Sequence, residues 1–142
     1  MIAYLDSSAI VKSYLLEEAG RDALESILGS PVDLTTSRFT YVEVRAGLAA
    51  ARRAGRLTTL EHDRAVESFD VEWLSYSIVE LDGPVGRRAG AIAETFGLRA
   101  GDAVQLASAL ELDRETSLIV AWDIQLRNAA QAVGVAVYPA VI

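Results

Sequence analysis

The stretch SLIVAWDIQLRNAAQAVGVAVYP (117–139) reads as strand, helix, strand, and its first part, SLIVAW (117–122), is the strongest buried-strand signal in the chain. That run is apolar, partly β-branched and bounded by polar residues, as expected of a strand covered on both faces. The helical spacing of IQLRNAAQAVG and the second strand VAVYP (135–139) complete a crossover unit, which implies parallel pairing.

The same alternation runs outward to the N-terminus. IAYL (2–5) is a short apolar run that ends in Asp6-Ser7-Ser8, and SSAIVKSYLLEE (7–18) then takes up helical spacing. RDALESIL (21–28) predicts a helix closed by Gly29 and Pro31, and VDLTT (32–36) a second strand. Helical patterns follow from Phe39 to Ala54 and from Thr59 to Ser75, then a strand at SIVEL (77–81). Pro84 opens a helix that runs to Phe96 and stops at Gly97, and another begins near Asp102 in LRAGDAVQLASALELD. Five strands alternating with helices, without hairpin signals, predict an α/β fold: a three-layer α/β/α sandwich around a central, mainly parallel five-stranded sheet. The 142 residues, 51% of them hydrophobic, fit a single domain. MIAYLDSS carries no basic segment before its apolar residues and no stretch is long enough to span a bilayer, so a cytoplasmic location is expected.

Composition narrows the chemistry. The chain has no cysteine, and its one histidine, His62, sits in the polar helical stretch TLEHDRAVESF as a surface residue. Thiol nucleophiles, Ser-His-Asp triads and histidine-based zinc sites are thereby excluded, which leaves carboxylates. A net charge of −7 is a poor global field for nucleic acid, so any such binding must be local.

Asp6 and Asp123 both fall at the carboxyl ends of strands, where ligands gather in parallel sheets. Each could equally cap the helix that follows it, and Asp102 could be the N-cap of its own helix. Glu43 lies in a helix that is apolar on most sides, RFTYVEVRAGLAAA, and shares a face with Phe39, Ala46 and Ala50. A carboxylate directed inward must be paired, with Arg45 or Arg99 as candidate partners, or bound to a metal. Hard divalent cations prefer oxygen ligands, so a Mg²⁺ or Mn²⁺ site accounts for Asp6, Glu43, Asp102 and Asp123 together.

The motifs YLDSSAIVKSY, TYVEVRAGL, LRAGDAVQLASAL and VAWDIQLRNAAQAVGVAVYP give nearly the whole chain a resemblance to PIN-domain proteins and, among them, to the VapC-type toxins of bacterial toxin–antitoxin pairs. The resemblance assigns the family's acidic quartet to Asp6, Glu43, Asp102 and Asp123, and its small hydroxyl to Ser8. Gln105 stands where the family often has His, and Ala121 where it often has Thr or Ser. Implied are a Mg²⁺- or Mn²⁺-dependent endoribonuclease that hydrolyses RNA through activated water, a homodimer, and a cognate VapB-type antitoxin. A PIN-like protein that only binds a partner is the rival reading. RNA would be held locally by Arg45, Arg52, Arg53 and Arg56 or by Arg99, and the antitoxin would dock on Val11, Tyr14, Leu15 and Leu16.

Overall fold

The computed structural model describes residues 1–142. Five strands form one sheet: β1 (Ile2–Leu5), β2 (Asp33–Ser37), β3 (Ser77–Val79), β4 (Ser117–Val120) and β5 (Ala136–Tyr138). Their order is β3-β2-β1-β4-β5, and every neighbouring pair is parallel. The chain winds from β1 towards one edge and then returns to place β4 on β1's other side. The switch point therefore lies between β1 and β4, the place where a parallel sheet opens a crevice at its carboxyl end.

The helices are α1 (Ser7–Lys12), α2 (Arg21–Leu28), α3 (Thr40–Arg53), α4 (Thr59–Trp73), α5 (Gly83–Phe96), α6 (Ala100–Ala109) and α7 (Ile124–Ala132). Alternation along the strands divides them into two layers. Ala3, Leu5 and Val120 pack with α1 to α4 through Ile10, Leu24, Val44, Leu48 and Phe69. Tyr4, Ile119 and Ala121 pack with α5 to α7 through Val85, Leu106 and Leu126. The pairing of Tyr4 with Ile119 and of Leu5 with Val120 keeps each set on its own face. No helix is long and apolar enough to cross a membrane.

All five expected strands are present; β1 has the expected bounds, and the other four are shifted or trimmed by a residue or two at their ends. The first helix is the clearest correction, because it stops at Lys12 rather than running on to Glu18. Side chains capture the backbone there instead. Ser13 Oγ donates to the Ile10 carbonyl at 2.6 Å, Lys12 Nζ to the Ala19 carbonyl at 2.7 Å, and Arg21 to the Ser13 carbonyl at 2.9 Å. These bonds satisfy a compact loop that helical spacing alone could not foresee. A second correction concerns Asp102, which is not an N-cap: Arg99 holds that position, and Asp102 lies in the first turn of α6.

Helices α1 and α3 approach closely because of Gly47. A methyl group added there would stand 2.9 Å from Val11 Cγ2. This contact brings the start of α1, with Ser8, alongside the start of α3, with Glu43; both residues line one groove.

Candidate metal centre

Asp6 follows β1 directly and is 3% exposed. Its backbone stands at the N-cap position of α1, but its side chain makes no capping bond. Oδ2 instead accepts from Ser8 Oγ at 2.5 Å. Burial raises its carboxyl pKa to about 7; the Ser8 hydrogen bond opposes the rise, and the charges of Glu43 and Asp102 reinforce it. No cation contributes to stabilising the charge.

Glu43 sits in the first turn of α3. Neither of the arginines considered as its partner reaches it. Arg45 donates to the Tyr41 hydroxyl at 2.8 Å, and Arg99 stands 3.5 Å from Asp102. Glu43 Oε1 instead accepts from Gln105 Nε2 at 2.6 Å. Its other oxygen rests against Gly101, where a Cβ atom would come within 2.7 Å of it.

Asp102, one residue past Gly101, is partly buried, and its pKa is raised by burial and then by the charge of Asp123, with Arg99 opposing. Asp123 does what its capping reading required: Oδ1 accepts from the Leu126 amide at 2.9 Å, closing the N-terminus of α7. Electrostatic influence thus joins the four acids in a series, Glu43 and Asp102 acting on Asp6 and Asp123 on Asp102. They form a loose grouping, since no three acidic or histidine side chains are gathered as a ready metal cage.

The residues fit a hard divalent cation. Every donor is a carboxylate or hydroxyl oxygen, and the most buried of them lacks a counter-charge. Asp6, Glu43, Asp102 and Asp123 are the side chains that would hold such an ion, directly or through water. The arginines are dispersed. Arg52 and Arg53 lie exposed in the last turn of α3 without ion pairs, while Arg56 is bound to Glu18 at 3.1 Å.

Sequence reasoning missed Gln105 as a partner of Glu43, although its place one turn after Asp102 on an otherwise apolar helix marked it as a polar residue directed into the protein. It also missed Arg127, which is buried and donates to the carbonyls of Ala121 at 2.7 Å and Pro139 at 2.6 Å. That residue fixes the backbone just ahead of Asp123, beside the alanine that replaces the family's usual hydroxyl.

Comparison with known proteins agrees with this architecture. The PIN domain profile matches residues 3–131, and this chain belongs to the PIN-domain family, within its VapC group. Ribonuclease VapC45 of Mycobacterium tuberculosis (strain CDC 1551 / Oshkosh) is 40% identical over 140 residues, covering 98% of this chain and 96% of that protein. Ribonuclease VapC46 of Mycobacterium tuberculosis (strain ATCC 25618 / H37Rv) is 33% identical over 138 residues, covering 94% of each. The fold is shared with FitAcB from Neisseria gonorrhoeae, at a TM-score of 0.70 and 23% identity over 98% of both chains.

Two outcomes follow for the acidic grouping. The folded-state pKa of Asp6 lies above its ordinary value of 3.8, so the metal-free fold bears no penalty from this residue below that pH, and the penalty grows until pH passes about 7. Metal-free protein should therefore lose stability to urea between pH 4 and pH 8, and Asp6→Asn should flatten that decline. The second outcome concerns Gly101. Gly101→Ala should push the Glu43 carboxylate out of place and weaken Mn²⁺ binding by about tenfold or more, with little change in melting temperature, since a displacement near 1 Å can cost about a hundredfold in function. Calorimetric titration with Mn²⁺ beside a thermal melt checks both halves.

Proposed function

We propose that this protein is a Mg²⁺- or Mn²⁺-dependent endoribonuclease, the toxin of a VapBC-type pair, which hydrolyses RNA phosphodiester bonds. The observation that supports this most is the placement of Asp6 and Asp123 at the two strands flanking the switch point, with Glu43 and Asp102 brought to Asp6 from separate helices. The names of its M. tuberculosis relatives point to the same chemistry.

Bound there, a divalent cation would supply Lewis-acid stabilisation of phosphoryl charge and make water acidic enough to act as a nucleophile near neutral pH. The chain's own side chains do the rest. Ser8 occupies one oxygen of Asp6 and so restricts how that carboxyl turns. Gln105 does the same for Glu43. Arg99, with its side chain 81% exposed beside Asp102, is placed to meet a phosphate of the substrate. Arg45, Arg52 and Arg53, on the helix that carries Glu43, are further candidate contacts for phosphates. RNA binding then depends on local contacts and weakens with salt.

A VapB-type antitoxin is the proposed regulator. A groove of about 570 Å³, floored by Val11, Leu15, Ala46, Gly47 and Ala50, leads to Ser8 and Glu43. An amphipathic segment lying in it could direct a guanidinium at the acids, which attract such a group strongly. Of the apolar residues expected to dock it, Leu15 is core at 5% exposure, Val11 and Tyr14 are half-buried, and Leu16 is 77% exposed.

Purified protein should cut single-stranded RNA only when Mn²⁺ or Mg²⁺ is added, leaving 5′-phosphate and 3′-hydroxyl ends. Asp6→Asn should slow cutting by about a hundredfold or more. Products ending in 2′,3′-cyclic phosphate would contradict hydrolysis by water, and RNA binding without any cutting would favour the rival reading of a binding protein.

A further inference from the structure

Tyr4, Thr36, Thr40 and Gln105 are all fully buried, at 0% exposure. Four polar side chains from β1, β2, α3 and α6 thus meet inside the protein. Burying them is costly unless each finds a partner.

The orientation of the Gln105 amide can be assigned from its partners. The Glu43 carboxylate accepts, so the Gln105 amide must turn Nε2 towards it, at 2.6 Å. The second Nε2 hydrogen goes to Thr40 Oγ1 at 3.0 Å. Oε1 of the same amide must then accept, and Tyr4 donates its hydroxyl proton to it at 2.6 Å. A phenol keeps its proton at neutral pH and so acts as the donor. Thr36 gives its one proton to the Leu5 carbonyl at 2.7 Å, because a carbonyl can only accept. The Thr36 and Thr40 hydroxyls lie 2.8 Å apart, and the Thr40 hydroxyl also reaches Gln105 Oε1 at 3.3 Å. The Glu43 carboxylate on one side and the Tyr4 hydroxyl on the other fix the orientation of the amide.

Both ends of the network lie on β1, at Tyr4 and Leu5, the two residues that precede Asp6. Its middle lies on α6, where Gln105 stands three residues after Asp102. Its outlet is Glu43 on α3. We infer that Gln105 is the positioning residue of the acidic site: held in one orientation by Tyr4 and Thr40, it sets the rotamer of Glu43 and ties the supports of Asp6, Glu43 and Asp102 together. This role rests on the proposed reading of the site as a metal-dependent nuclease. Gln105 touches neither substrate nor cation; it acts through Glu43.

The test is a double-mutant cycle of wild type, Gln105→Leu, Glu43→Gln and the double variant, read by RNA cleavage and by calorimetric titration with Mn²⁺. Gln105→Leu should lower kcat by about tenfold to a hundredfold and move KM by less than about threefold. In the Glu43→Gln background the same change should add less than about twofold, because the group it positions is already altered. Gln105→His, whose ring N–H can also donate, should restore most of the lost rate. An equal loss of kcat and of Mn²⁺ affinity from Gln105→Leu in both backgrounds would overturn the role. Should Gln105→Leu not fold, Tyr4→Phe takes its place in the cycle with the same expected non-additivity. If wild type cuts no RNA, the nuclease reading fails, and the Mn²⁺ titrations still decide the role of Gln105; absence of Mn²⁺ binding in all four proteins would overturn both.

Discussion

The rest of the structure depends on keeping acidic side chains near one another at the end of a parallel sheet with little positive charge among them. Asp6 carries most of this cost, being buried, uncompensated by any cation and exposed to the charges of Glu43 and Asp102. Isolated carboxylates would relieve the repulsion by turning to solvent or taking up protons. Here a set of neutral donors restrains them. Ser8 holds Asp6, Gln105 holds Glu43, and the Leu126 amide holds Asp123. Only Asp102 has a cationic neighbour, and that arginine is largely exposed, so the contact is weak.

Fold topology makes this possible. Because β1 and β4 are adjacent and parallel, the turns after them open side by side, and Asp6 and Asp123 come from positions far apart in sequence. Glu43 and Asp102 are delivered by helices whose N-terminal turns reach the same end of the sheet. The close packing of Val11 on Gly47 and of Glu43 on Gly101 shows how small residues allow that approach. Placing acids in the first turns of α3 and α6 also lets the helix dipoles offset part of their charge.

Much of this was legible in the sequence, and the limits have physical causes. The strands were readable because a parallel sheet buried on both faces needs short apolar runs such as IAYL and SLIV, and the positions of Asp6 and Asp123 followed from them. The end of α1 was not, because side chains from Lys12, Ser13 and Arg21 take over the backbone's hydrogen bonds. The partner of Glu43 was sought among arginines because charge suggests charge; the neutral amide of Gln105 filled the role through a long-range contact that no local pattern encodes. Asp102 read as a cap because Gly101 resembles a helix boundary, whereas that glycine lies inside the first turn of α6 and leaves room for the Glu43 carboxylate.

The central claim is that Asp6, Glu43, Asp102 and Asp123 form one site for one kind of ligand, a hard divalent cation. Anomalous diffraction from crystals soaked in Mn²⁺, collected near the manganese absorption edge, tests it most directly. The account predicts a peak between Asp6 and its three acidic neighbours, with Asp6 and Asp102 among the ligands, and no comparable peak in Asp6→Asn crystals treated alike. A strong manganese peak elsewhere on the surface, with the four carboxylates unliganded, would contradict it.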